Sequence, residues 1–393
     1  MSEQIVIVGA ARTPMGSFQG GFSSLAAHDL GGAAIKAAVA RSGVSGDLVN
    51  EVLFGNCLMA GQGQAPARQA AFKGGLPVSA GAVTLSKMCG SGMRAAMFGH
   101  DMLLAGSADV LVAGGMESMT NAPYLLQKAR GGYRIGHDRM FDHMMLDGLE
   151  DAYEPGRSMG TFGEDCAGKY AFTREQQDAF AMASVQRAQA ATQSGAFAAE
   201  ITPVTVKTRS TETVISIDEG PGKVRLDKIA SLKPAFKKDG TITAASSSSI
   251  NDGAAALVMM RAGTAARLSA RPLARIVAHA VHAQEPNWFT TAPVGAVQKL
   301  LIKVGWGVKD VDLWEVNEAF AVVPMALMHE LGLSHDIVNV NGGACALGHP
   351  IGASGARILV TLIYALKARG LKRGVATLCI GGGEATAVAI ELL

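Results

Sequence analysis

Short β-branched apolar runs alternate with helical segments at both ends of the chain. The first series opens with Ile5-Val6-Ile7-Val8, a helix around 28–42, Glu51-Val52-Leu53-Phe54 and a helix around 65–74. It continues with the run 82–85, a helix over 93–106, and a strand at 109–115 that ends in glycines. The second series runs through 274–277, a helix near 293–304, Leu313-Trp314-Glu315-Val316 and a helix near 319–331. It closes with Ile337-Val338-Asn339-Val340, a helix near 354–369, and strands at 376–380 and 386–391. This alternation predicts α/β layers with mostly parallel strands.

The two series match one another. Arg41-Ser42-Gly43-Val44 precedes one strand as Lys303-Val304-Gly305-Trp306 precedes another, and 108–116 (ADVLVAGGM) parallels 374–382 (GVATLCIGG). Two copies of one unit predict paired halves rather than a solenoid, and a cleft between similar α/β halves is a natural place for a site. The middle, about 117–249, has a different texture. Residues 117–165 read as a long loop excursion, 201–217 as strands and 218–249 as loop. Between them 173–194 is helical, with Thr173 as N-cap, Glu175 in the first turn and Gln176 three residues after the cap. Long loops in a compact protein are usually functional.

Composition narrows the class. The chain has 393 residues, 49% hydrophobic and 17% charged, which fits a large globular enzyme of several subdomains and excludes disorder. A net charge of +2 gives no sign of nucleic-acid binding. The five cysteines (Cys57, Cys89, Cys166, Cys345 and Cys379) form no CxxC pair, which fits a reducing compartment. No basic leader precedes the first strand, and no apolar run reaches the ~18 residues of a membrane span. The expectation is a cytoplasmic enzyme without a membrane anchor.

Candidate chemistry clusters at strand ends. Cys89 lies in Ser86-Lys87-Met88-Cys89-Gly90-Ser91-Gly92-Met93-Arg94, between an apolar run and a helix start. An isolated free cysteine is usually a small buried hydrophobe. A Gly-flanked turn into a helix N-terminus instead favours an anion, and predicts a thiolate with a lowered pKa. Asn317-Glu318-Ala319-Phe320 follows a strand at the carboxyl end where open α/β sheets place ligands. Gly348-His349-Pro350-Ile351-Gly352-Ala353-Ser354-Gly355 offers a histidine in a glycine-laden turn, and beside an activatable cysteine it suggests a thiolate–imidazole pair. Cys379-Ile380-Gly381-Gly382-Gly383 closes the next strand. Cys57, Cys166 and Cys345 read as packing thiols. No His/Cys pair has zinc-ligand spacing, so no metal is expected. The turn after Val8 lacks the full dinucleotide fingerprint, which weakens an NAD-dependent oxidoreductase.

CGSGM around Cys89, NEAFA at 317–321, GHPIGASG at 348–355 and CIGGG at 379–383, in this order along the whole chain, resemble the thiolase family. That family comprises the acetyl-CoA C-acetyltransferases and 3-ketoacyl-CoA thiolases. The resemblance implies an α/β, thiolase-like fold: two duplicated βαβαβαββ halves in a layered α-β-α-β-α core with an inserted loop domain. It places an N-terminal half at 1–116, completed by about 250–268. A loop domain for CoA binding and tetramer contacts follows at 117–249, and a C-terminal half at 269–393. It implies reversible Claisen condensation of two acetyl-CoA to acetoacetyl-CoA, or thiolysis of 3-ketoacyl-CoA, through an acyl-Cys89 intermediate. CoA thioesters are then substrates, no cofactor is needed, and the assembly is a homotetramer built as a dimer of dimers.

The resemblance also implies roles. Cys89 is the nucleophile, His349 its activator and a thioester-oxygen ligand, and Cys379 the acid/base at the acetyl methyl. Asn317 positions a water that forms one oxyanion hole with His349, and the backbone N–H groups of Cys89 and Gly381 form the other. Leu149, Met159, Ala244, Ala245, Ser248, Ala319 and Phe320 match substrate- and CoA-contacting positions. The chain departs from the family at Ser158, Pro221, Ser246, Ser249, Trp288-Phe289 and Glu384, with Lys223 or Arg225 as substitute phosphate partners. These departures bear on acyl-chain preference. A thiolase-like condensing enzyme with a divergent acyl substrate, or a non-catalytic CoA- or lipid-binding relative, is the competing reading. A ketoacyl synthase is disfavoured because the third catalytic position is a cysteine.

Overall fold

Ile5 and Ile7 face one hydrophobic core and Val6 and Val8 another, so the first strand is buried on both sides. Alternate side chains of a strand point to opposite faces. A continuous β-branched run therefore belongs where helices cover both faces of a sheet. The computed structural model describes residues 3–207 and 209–393, so residue 208, within the expected strands at 201–217, lies outside the described residues.

The first half contains β1 (Ile5–Arg12), α1 (Ala27–Ser42), β2 (Glu51–Gly55), α2 (Pro66–Lys73), β3 (Gly81–Leu85), α3 (Ser91–Leu104) and β4 (Val110–Ser118). After the excursion, which carries α4 (Met159–Tyr170) and α5 (Arg174–Gln193), β5 (Asn251–Arg261) returns to lie between β1 and β4. The second half contains β6 (Ala274–Ala283), α6 (Ala292–Val304), β7 (Leu313–Val316), α7 (Val322–Leu331), α8 (Ile351–Arg369), β8 (Arg373–Ile380) and β9 (Glu384–Leu392). The strand order is β7-β8-β9-β6-β1-β5-β4-β2-β3. β2 runs parallel to β3 and β4, and β7 parallel to β8, while the remaining neighbours are antiparallel. The first strands of the two halves join them: Ile5–Ile7 of β1 pairs with Ile276–Ala274 of β6.

α3 and α8 lie in the shared core between strands of both halves, α1 and α2 cover the outside of the first, and α6 and α7 cover the outside of the second. The result is the α-β-α-β-α layering. α8 has the length and mean hydropathy (1.4) of a membrane span, which the sequence reading did not expect, but 83% of that stretch is buried between the layers.

Two expected elements differ. The run 337–340 is not a strand: a 3₁₀ turn over His335–Ile337 leads to a single parallel bridge from Val338 to Trp314, and Asn339 then turns the chain at φ 49°. It occupies, beside β7, the place β3 takes beside β2. Conversely, the supposed loop at 117–165 ends in α4 and holds a short hairpin, Tyr124–Leu125 with Phe141–Asp142. The helix after Thr173 has the expected capping box with Gln176.

Candidate active site

β3 ends at Leu85, and a five-residue turn carries Cys89 to the start of α3 at Ser91. The turn is held closed by Ser91, whose Oγ accepts from the Lys87 N–H (2.8 Å) and donates to the Met88 carbonyl (2.7 Å). Met88 takes φ 45°, which a side chain rarely adopts and surrounding structure must enforce. Gly90 lets the turn approach closely: a Cβ there would sit 2.4 Å from Ile380 Cδ1 and would have to displace that side chain. The nucleophile turn of the first half is thus pressed against the end of β8 in the second.

The backbone N–H groups of Gly381 and of Cys89 itself face the Cys89 sulfur. They do not lower its pKa below the free value, as the helix N-terminus had led us to expect. Burial dominates and pushes the thiol up to about 11, the two N–H groups act against it, and the buried Glu117 carboxylate adds a further upward push. The physical reason is the wall around it: Met88, Leu149, Met159, Phe289, Phe320 and Ile351 line the cavity and displace the water that would solvate a thiolate.

His349 enters the same cavity. Gly348 before it sits at φ +94°, and a Cβ there would fall 1.9 Å from Asn251 Oδ1, so only glycine brings the chain through. The His349 N–H then donates to the Ser249 carbonyl (3.1 Å) and Pro350 caps α8. His349 Nδ1 lies 2.6 Å from Ser354 Oγ, whose single proton goes to the Pro350 carbonyl at 2.9 Å. With the hydroxyl proton assigned to Pro350, Ser354 accepts from His349 Nδ1–H and Nε2 is left as the base. Nε2 is buried without a hydrogen-bond partner, so no hydrogen bond joins it to Cys89 in the resting site. Burial, with the charge of Arg357, lowers the imidazole pKa to about 4.

Asn317 follows β7, its backbone N–H bonded to the Thr377 carbonyl (3.1 Å). Both polar atoms of its buried side chain lack a protein partner. Cys379 sits on β8, where burial pushes its thiol well above the usual range and the neighbouring Cys89 adds to the effect. Gly382 and Gly383, at φ 92° and 89°, turn β8 into β9 and leave Gly381 facing Cys89.

Leu149, Met159, Ser248, Ala319 and Phe320 line the cavity with Cys89, His349 and Gly381. The loop 243–249 runs antiparallel to 319–321: the Ser248 N–H donates to the Ala319 carbonyl (3.0 Å) and the Ala321 N–H to the Ser246 carbonyl (2.8 Å). Ala244 is exposed and Ala245 half-buried on that loop, outside the cavity lining. Ser249 Oγ bonds Asn251 Oδ1 (2.7 Å), and Ser158 precedes α4 without a side-chain cap. Lys223 and Arg225 are engaged with acids, Glu219 at 3.6 Å and Asp227 at 2.9 Å respectively.

Three contributors escaped the sequence reading. Glu117, at the end of β4, is buried and accepts from the Cys57 (3.0 Å), Leu58 (3.1 Å) and Gly352 (2.9 Å) N–H groups, tying β4 to the start of α8. Glu318 accepts from Ser184 Oγ (2.7 Å), the Cys345 N–H (2.9 Å) and Asn339 Nδ2 (2.8 Å), fixing the segment that carries Asn317. Cys57, read as a packing thiol, donates to the Met88 carbonyl (3.2 Å) beneath the nucleophile turn. Acidic residues at strand ends were the available signal.

Family models for the thiolase N-terminal and C-terminal domains match residues 5–263 and 270–392. The chain is 50% identical over 390 residues to an acetyl-CoA acetyltransferase of Rhizobium meliloti (strain 1021), covering 99% of each. It is 50% identical to acetyl-CoA acetyltransferase 2 of Arabidopsis thaliana, covering 99% of this chain and 97% of that one. Among solved structures, an acetyl-CoA acetyltransferase of Bacillus anthracis superposes with TM-score 0.97 at 41% identity, over 100% of this chain and 99% of that one. The Acat5 thiolase of Ascaris suum, in complex with coenzyme A, does so with TM-score 0.93 at 42% identity, over 99% and 100%. With models matching nearly its whole length and full-length relatives at half identity, the chain belongs to the thiolase family.

Proposed function

We propose that the protein catalyses reversible Claisen condensation of two acetyl-CoA to acetoacetyl-CoA and CoA, and the reverse thiolysis. The observation that carries this reading is one cavity shared by the Cys89 thiol, the Gly381 backbone and the bare His349 Nε2.

In the acyl-transfer step the Cys89 sulfur attacks the thioester carbonyl as its proton passes to His349 Nε2. The oxyanion is held by the Cys89 and Gly381 N–H groups, the CoA sulfur leaves, and the Cys379 thiol protonates it. This leaves acyl-Cys89, a His349 imidazolium and a Cys379 thiolate. Because burial disfavours that thiolate, it is a strong base. It takes a proton from the methyl of the second acetyl-CoA, whose enolate oxygen is bound by His349 and by a water on Asn317. The enolate carbon then attacks the acyl carbon, the bond to Cys89 breaks, and the Cys89 sulfur recovers the proton from His349. Each donor acts where charge develops, and losing one typically costs ~10²–10³ in rate. Nothing in this sequence calls for a metal or redox cofactor.

Large side chains beside Cys89 (Met88, Met159 and Phe289) support a short acyl group. The segment 117–249 supplies the CoA-facing Leu149, Met159 and Ser248 and serves as a loop domain between the halves. The β3 edge, with Val83 47% exposed, supports assembly with further copies into a homotetramer. Five free cysteines support a cytoplasmic setting.

The test is CoA-dependent loss of 3-ketoacyl-CoA absorbance with acetoacetyl-CoA and 3-ketohexanoyl-CoA, with Cys89→Ala as control. Turnover of the shorter substrate that vanishes in the control is expected. No turnover of either substrate, with CoA still bound, sinks the assignment.

A further inference from the structure

Away from the acyl site, α3 and β6 bring together groups 178 residues apart in the chain. His100 Nδ1 lies 3.1 Å and His279 Nε2 2.9 Å from the same atom, Asp101 Oδ1, and all three lie within 4.8 Å of one another. The two imidazole side chains are only 13% and 12% exposed, and their rings meet edge to face with centroids 5.0 Å apart. Asp101 is 53% exposed, which leaves one side open to water. Two imidazoles and one carboxylate with an open position suit a zinc-class ion, whereas magnesium and calcium take oxygen sets.

We infer that His100, Asp101 and His279 form a binding site for one divalent transition-metal ion of the zinc class, bridging the first and second halves of the chain. The site takes no part in the acyl chemistry. Sequence spacing could not show it, because the fold, not a motif, supplies the third ligand. In the metal-free chain both rings donate N–H to the carboxylate, which only accepts. On binding, each ring proton moves to the other nitrogen, or leaves if the ring is charged, and the freed lone pair takes the ion. Metal–nitrogen bonds of about 2.0–2.1 Å require only small outward shifts of ligands so close together.

Burial lowers the His279 pKa. For Asp101, burial acts upward, but hydrogen bonds from the two rings outweigh it and hold the carboxyl below its usual range. Opposing the ion is Lys303, whose ammonium donates to the His279 carbonyl at 3.2 Å.

The intact enzyme, freed of metal by chelation, is titrated with CoCl₂ and then ZnCl₂. The expected result is one Co²⁺ per chain with tetrahedral visible bands, no thiolate charge-transfer band, displacement by Zn²⁺, and no change in Cys89→Ala. His279→Gln and Asp101→Asn each weaken binding by more than the roughly 10–100-fold that loss of an outer-shell partner costs, with thiolase turnover unchanged as the check on folding. Lys303→Met, which removes no ligand, tightens binding. Absence of stoichiometric binding in the wild type, a thiolate band, or binding that survives both ligand variants overturns the site.

Discussion

Lys87 and Glu384 form an ion pair that joins the turn that carries Cys89 to the turn that carries Gly381. Lys87 stands two residues before the nucleophile and Glu384 opens β9, so the pair ties together the two halves of the chain. Its members are 22% and 38% exposed, and a screened pair of this kind adds only about 0–1 kcal/mol to stability. Its consequence is positional, because the Gly381 N–H must stay aimed at the Cys89 sulfur. Glu384→Gln should lower kcat for thiolysis roughly tenfold, within the range a misplaced catalytic group costs, while leaving Tm nearly unchanged. The exchanged pair, Lys87→Glu with Glu384→Lys, should restore part of kcat. Single-variant losses that simply multiply in the double variant would show that the two residues act independently.

Cys379→Ala separates the two halves of the reaction. Cys89, His349 and the paired N–H groups remain, and a CoA thiolate can leave without the proton that Cys379 supplies, so the variant should still take an acyl group onto Cys89, more slowly than the wild type. The carbon–carbon step should fall by about 10²–10⁴, the contribution of a positioned acid or base. Mass spectrometry of enzyme mixed with acetyl-CoA, beside acetoacetyl-CoA turnover, makes the distinction. Equal loss of acylation and condensation would assign Cys379 to something other than the methyl proton.

The layers of the fold were legible because apolar runs such as 5–8 and 376–380 can be buried only between two covering layers. Strand ends were legible too, since glycines at 90, 348 and 383 mark where two backbones or a backbone and a side chain nearly touch. What stayed hidden depended on contacts distant in sequence. The bridge at Val338 replaces a strand because Asn339 turns to bond both backbone groups of Val316, at 2.8 Å each. The pKa of Cys89 was misjudged because a local motif shows the helix N-terminus but not the apolar wall contributed by 149, 159, 289 and 320.

Cys89 and His349 start as neutral thiol and neutral imidazole, with pKa values near 11 and 4, so reactivity at neutral pH requires the proton to pass between them. Iodoacetamide labelling of Cys89 at pH 7 should therefore slow sharply in His349→Ala. Above the thiol pKa the two proteins should label alike, because hydroxide then does the work of the imidazole. Labelling at pH 7 that ignores the substitution would remove His349 as the base.

His349 also makes stability depend on acid. The unfolded chain takes up this proton near pH 6.5, whereas the folded chain refuses it until about 4. Between those values the unfolded state binds more protons, so stability falls as pH drops. The single group costs roughly 2 kcal/mol between pH 6.5 and 5. Urea unfolding of wild type and His349→Gln at pH 7 and 5 isolates it, because His335, also lowered to about 4 by burial, contributes equally to both proteins. The variant should lose less stability on acidification, and identical losses would mean that His349 stays charged or solvated in the folded chain.

Glu318 gives a test that reaches the chemistry through the scaffold. Its three partners are all donors: the Cys345 N–H, the Asn339 amide and the Ser184 hydroxyl, whose oxygen already accepts from the Gly343 N–H at 2.9 Å. A glutamine of the same shape must turn an N–H₂ toward one of these donors, and a buried polar group left unpaired costs about 1–3 kcal/mol. Glu318→Gln should lose stability in that range in urea unfolding. It should also lower kcat more than KM if, as proposed, the neighbouring Asn317 serves the enolate oxygen through a water rather than the CoA moiety. Glu318→Asp keeps an acceptor-only carboxylate and should recover part of kcat. A glutamine variant with wild-type unfolding and turnover would mean that the loop bearing Asn317 is held well enough by its backbone bonds to Thr377 and to the 246–248 loop.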